Sequence, residues 1–113
     1  MKEKVIKCLY DIKLAIREID SFFENQPRNY ENYIQNSLLK RAIERNLEII
    51  GEAMSRILKE DPGFHIENSK KIIGLRNQII HGYDSISDES IWGVVNIHLP
   101  KLRTEIDLLI DKE

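Results

Sequence analysis

Apolar residues in this chain recur at three- and four-residue steps, and no segment shows the two-residue alternation of a half-buried strand. Val5, Ile6, Leu9, Ile12, Ala15, Ile16, Ile19, Phe22 and Phe23 form one stripe of a first helix, from about Lys2 to Phe23, which the Glu24–Asn29 segment ends. A second, longer helix is expected over about Asn29 to Lys59, with Tyr30, Ile34, Leu38, Ala42, Ile49, Ala53 and Ile57 among its inward positions, closed by the turn chemistry of Asp61-Pro62-Gly63. A third begins near Asn68 or Ser69, both plausible caps. It turns Ile72, Ile73, Leu75, Ile79 and Ile80 toward the core and stops at Gly82, which suits a left-handed cap. Ser87-Asp88-Glu89 has the form of an N-terminal cap with an acidic first turn, opening a fourth helix through Ile91, Trp92, Val95, Leu99, Leu102, Ile106 and Leu109. Pro100 should kink that helix or split it in two.

The expected fold is therefore all-α: a single domain spanning 1–113, folded as an antiparallel up-and-down bundle of four main helices. Short connections place the third helix beside both the second and the fourth. Apolar faces on the first two helices are wide for a lone bundle of 113 residues and point to a homodimer.

Seventeen Lys and Arg against nineteen Asp and Glu give a formal charge of -2, so no global basic field exists to make the chain a general nucleic-acid binder. Any contact with RNA must use a local patch, or one created by association. A single cysteine, Cys8, allows no intrachain disulfide and fits a reducing cytoplasm. Apolar runs fall short of the roughly 20 residues that span a bilayer, and the charged start MKEKVIKCLYDIK lacks the apolar stretch of a signal peptide, so the chain reads as soluble and unprocessed.

Chemistry concentrates in Arg76-Asn77-Gln78-Ile79-Ile80-His81-Gly82-Tyr83, which brings a permanent cation, a base that titrates near neutrality and a phenol to one helix end. On an ideal helix Arg76 and His81 stand about 140° apart around the axis and roughly 7.5 Å apart along it, so convergence requires the last turn to relax at Gly82. The carbonyl end of the helix favours a cationic His81, which suits a proton donor. These groups match metal-free RNA cleavage, in which a base deprotonates the 2′-hydroxyl, that oxygen attacks phosphorus, an acid protonates the departing 5′-oxygen, and arginine stabilises the charge that builds. One copy holds one motif histidine for two proton transfers, and a twofold dimer would supply two. The spacing alone leaves a plainer alternative open, in which Arg76 snorkels or pairs with a glutamate of the second helix, His81 is an ordinary helix-end residue, and Tyr83 plugs the bundle.

Around this motif, Asn77 lies one turn before His81 and is a supporting candidate that could hydrogen-bond the ring or a phosphate. Arg45, Glu48 and Glu52 form a charged stripe on the second helix, either an exposed ion-pair row or the source of a carboxylate that orients Arg76. His65 and His98 lack partners at ligand spacing, so no metal site is expected. Tyr30 and Tyr33 read as packing residues beside Ile34, and base stacking is the less favoured role.

The stretch KKIIGLRNQIIHGYDSISDESIWGVVNIHLPKL closely resembles the signature half of the HepT-like branch of the HEPN superfamily, whose hallmark is Arg, four residues, His, one residue and Tyr. RAIERNLEIIGEAMSRI, from Arg41 to Ile57, resembles the family's other characteristic segment, and together the two cover more than half of the chain. The resemblance implies a dimeric, metal-independent endoribonuclease that needs no cofactor and serves as the toxin of a type VII-like toxin-antitoxin pair. It makes Arg76 and His81 the catalytic pair and RNA the substrate. It also makes Tyr83 the residue that a minimal nucleotidyltransferase antitoxin of the MntA type modifies with AMP, and added phosphates beside Arg76 would occupy the cation. Two rival readings remain: a non-catalytic, nucleotide-binding accessory subunit of a nucleotidyltransferase, and a helical dimerisation domain with no ligand.

Overall fold

The computed structural model describes residues 1–82 and 86–113, and every regular element among them is helical. Helices α1 (Glu3–Ser21), α2 (Tyr30–Gln35), α3 (Ser37–Glu60), α4 (Ser69–Ile80), α5 (Asp88–Gly93) and α6 (Leu99–Asp111) follow in order, with a π-helical turn at Val94–His98 between α5 and α6. Contacts fix the directions. Lys2 Nζ donates to the Glu60 carbonyl at 2.6 Å while Asn46 Nδ2 donates to the Ala15 carbonyl at 3.1 Å, so α1 and α3 run antiparallel. The ion pairs Lys13–Asp107 at 3.0 Å and Arg103–Asp20 at 3.2 Å set α6 antiparallel to α1 in the same way. Val5, Leu9, Ile12, Ile16 and Ile19 of α1 form one buried core with Ile43, Ile50, Met54 and Ile57 of α3 and with Val95, Leu102 and Ile106. Among the described residues Asn46 is the buried polar exception, and the second bond from its Nδ2, to Glu18 Oε1 at 3.0 Å, uses the other amide N–H and fixes the register of α3 on α1.

Three expectations need correction. The long second helix is two helices, because Asn36 leaves the helical region (φ −110°, ψ 95°) and its side chain accepts the Leu39 N–H at 3.0 Å as the cap of α3. Asparagine competes in this way with the backbone, and the break shifts the register. Ile34 is 39% and Leu38 81% exposed, while Tyr33 and Leu39 take the buried places assigned to them. Next, α4 packs on α3 but not on the last helices, and none of its residues is buried. Finally, Asn68 precedes α4 in a left-handed conformation (φ 62°) without capping it through its side chain.

Two expected features are present. Ser87 Oγ accepts the Ser90 N–H at 3.1 Å and caps α5, with Asp88 and Glu89 in the first turn. Pro100 does interrupt the last helix: it has no N–H for a bond four residues back, and just before it the Leu99 N–H reaches five residues back to the Val94 carbonyl, the wide turn of a π-helix. Tyr33 packs against Trp92 with ring centroids 5.2 Å apart, and Phe23 meets the same indole edge-on at 5.8 Å.

Candidate active site at the end of α4

Arg76 reaches its position because Gly51 has no side chain. A Cβ at Gly51, which is buried in α3, would collide with Arg76 Cβ and stand 3.1 Å from its Cγ and 3.2 Å from its Cδ. The glycine therefore lets α4 lie close on α3 with the aliphatic stem of Arg76 wedged between them, which limits the freedom of a long side chain. At the far end, Nη1 donates to Asn77 Oδ1 at 3.1 Å, while the buried Nε has no hydrogen-bond partner among the described residues. Neither helix-α3 glutamate orients the guanidinium. Glu48 pairs with Arg45 at 3.4 Å and Glu52 with Arg56 at 2.7 Å, so that stripe is an ion-pair row, and among the described residues no carboxylate forms a salt bridge with Arg76.

His81 is the first residue past α4, exposed, with its backbone N–H donating to the Asn77 carbonyl at 3.1 Å. Gly82 follows with φ +63°, the left-handed turn that ends the helix, and its N–H donates to the Ile79 carbonyl at 3.1 Å. The structure thus joins Arg76 to Asn77 directly and places His81 one turn beyond that amide. Tyr83 lies outside the described residues.

Beside this helix end a groove of about 590 Å³ opens between the first half of α3, the end of α4 and the start of α5. Arg41, Arg45, Glu44 and Glu48 line one wall, Asp88 the other, and Gln78, Ile79 and Gly82 connect it to the motif helix. No cluster of three or more His, Cys, Asp or Glu able to hold a metal occurs among the described residues, and His65 and His98 are both exposed outside any such group. Burial pushes the Cys8 thiol above its ordinary range, with Asp11 adding to the effect, so it is a poor nucleophile. Among the described residues no helix is long and apolar enough to cross a membrane.

A family model described as ribonuclease HepT-like matches residues 12–109, which takes in every helix contributing to this site. The chain belongs to the HepT-like ribonuclease family. Of its relatives, "Putative RNase MJ1216" of Methanocaldococcus jannaschii is 33% identical over 97% of this chain and 91% of its own length. "Putative RNase MJ1380" of the same organism is 34% identical over 96% of this chain and 98% of its own length. "Probable ribonuclease HepT" of Thermococcus cleftensis is 28% identical, again over 96% and 98%. No solved structure gives a significant match.

The sequence pattern located this HepT-like motif but missed what holds it. Gly51 interrupts an otherwise apolar helical run, and an isolated glycine in such a run often marks a close approach, which was the available signal. Nothing in sequence spacing joins Arg41 and Arg45 to the far end of α4.

Proposed function

We propose that this HepT-like chain is a metal-independent endoribonuclease whose Arg76 stabilises charge on the scissile phosphate and whose His81 transfers protons. The observation that carries the reading is the state of Arg76: its stem is fixed against Gly51, its Nε is buried and unsatisfied, and no described carboxylate neutralises it. Packing shields the Nε, but the outer end of the guanidinium is exposed where Nη1 meets Asn77, and with no described carboxylate on it a phosphate oxygen can take a charge-assisted bond there. Asn77 steadies the guanidinium and sits between the two motif groups in sequence, making it a supporting residue. In the reaction, His81 protonates the 5′-oxygen as the 2′-oxygen closes on phosphorus. The deprotonating base is the motif histidine of a second copy, and a homodimer sets two arginines and two histidines around one substrate. The faces left open on α4, where Ile80 is exposed and no residue is buried, suit such an association.

The same reading makes the protein a cytoplasmic toxin, restrained when a nucleotidyltransferase antitoxin adds AMP to Tyr83. Phosphates attached two residues beyond His81 would compete with RNA for Arg76. Cleavage of single-stranded RNA in excess chelator tests the chemistry. Attack by the 2′-hydroxyl leaves 2′,3′-cyclic phosphate and 5′-hydroxyl ends, while 3′-hydroxyl ends, or loss of all cutting on chelation, would refute it.

A further inference from the structure

Arg41 and Arg45 are one turn apart on α3, a rise of about 6 Å, which is close to the step between successive phosphates of one extended strand. Their side chains are 84% and 67% exposed, while Glu44 and Glu48, their partners at 4.0 and 3.4 Å, are recessed at 26% and 25%. Cations therefore stand at the rim of the 590 Å³ groove and the carboxylates are more recessed, in a groove that Ile79, Ile86 and Ile91 also line. Lys40 is committed differently, since its Nζ bonds Asp88 at 3.1 Å and stitches α3 to α5 across the groove. Exposed pairs such as Arg41–Glu44 are worth little, so both arginines can turn to a phosphate without much loss.

We propose that this groove is the subsite for the single strand of RNA flanking the cleaved bond, with backbone phosphates on Arg41 and Arg45 and an amino-bearing base turned inward onto Glu44 and Glu48. The proposal rests on the ribonuclease reading and extends it to substrate selection. Continuity with the motif comes through Gln78, Ile79 and Gly82, which line the groove on the helix that carries Arg76 and His81. A recessed carboxylate accepts hydrogen bonds from the exocyclic amino group of cytosine, and uracil offers none at that position. The mixed-charge groove thus holds the backbone at its rim and selects base type by its floor.

Fluorescence anisotropy with short oligo-C and oligo-U, on protein carrying His81→Ala so that binding proceeds without cutting, tests both halves across a potassium chloride series. Oligo-C should bind at least about fivefold more tightly than oligo-U, and Glu44→Gln with Glu48→Gln should abolish that preference. Arg41→Gln with Arg45→Gln should lower the slope of log affinity against log salt by about 1.4, at roughly 0.7 per phosphate contact on a single strand. Arg41→Lys with Arg45→Lys should keep the parental slope, and Lys59→Gln, at an exposed cation at the other end of α3, should leave it unchanged. An unchanged slope in the Arg41→Gln, Arg45→Gln protein, an equal loss in Lys59→Gln, or equal binding of the two oligomers overturns the groove. If unaltered protein still cuts RNA in that case, the ribonuclease reading survives alone; if it cuts none, both fall.

Discussion

Replacing Gly51 with Ala tests the packing that holds Arg76, and Gly74→Ala is its control. Both glycines are inside helices, and alanine in a helix interior is worth roughly 0.5–1 kcal/mol over glycine. At Gly74, exposed on α4 with nothing within 4 Å of the place a methyl group would take, that gain should appear undiminished. At Gly51 the methyl group meets Arg76 Cβ, an atom fixed to the α4 backbone, so α4 itself must move off α3. Overpacking of this kind costs about 1–3 kcal/mol, which cancels or outweighs the helix gain and leaves a net loss of about 0–2.5 kcal/mol. At about 4 °C per kcal/mol for a domain near this size, Tm should stay level or fall by up to about 10 °C for Gly51→Ala and rise by about 2–4 °C for Gly74→Ala. Arg76→Ala should not rescue Gly51→Ala, because alanine keeps the Cβ that makes the closest approach. Thermal unfolding followed by far-ultraviolet circular dichroism reads all three. Equal stabilisation by the two alanines would refute the close approach of α4 to α3 and, with it, the fixed position of Arg76.

Burial holds the Tyr33 hydroxyl far above its ordinary value of 10, with Asp88 and Glu44 adding to the shift, and that oxygen has no partner among the described residues. The folded protein therefore resists ionisation that the unfolded chain undergoes: this contribution to stability is complete below about pH 10 and is lost as pH rises above it. Tyr33→Phe should match or exceed parental stability at neutral pH, since it removes an unsatisfied polar atom, and should weaken the alkaline loss seen in denaturant titrations. Steeper alkaline unfolding in Tyr33→Phe would contradict this. Tyr83→Phe should still cut RNA but gain no AMP from ATP and the nucleotidyltransferase by intact mass, so co-expressed antitoxin should fail to restore growth; AMP on the Phe variant would place the modification elsewhere.

Helical periodicity made the bundle legible, because a core built from one stripe per helix leaves a direct record in sequence: Leu9, Ile12, Ile16, Ile57 and Ile106 are all buried as their spacing requires. Asn36 shows where that record fails. A single residue left the helix to cap its successor, and the apolar positions around it, Ile34 and Leu38, ended on the outside. The expectation that α4 would touch the last helix failed for a related reason: apolar residues on a helix demand a cover without naming it, and among the described helices α4 packs on α3 alone. Arg76, Asn77 and His81 were visible as a motif. The means of holding them was not, since Gly51 acts through an atom it lacks and the rim of Arg41 and Arg45 depends on how two helices cross.

The claim that Arg76 and His81 form a metal-free RNA-cutting pair is tested most directly by initial rates of single-stranded RNA cleavage in excess chelator, comparing parent with His81→Ala at matched fold and oligomeric state. Loss of a group that transfers protons should slow cleavage by about 10²–10⁴-fold while RNA binding persists. Cleavage by His81→Ala at the parental rate would contradict the account.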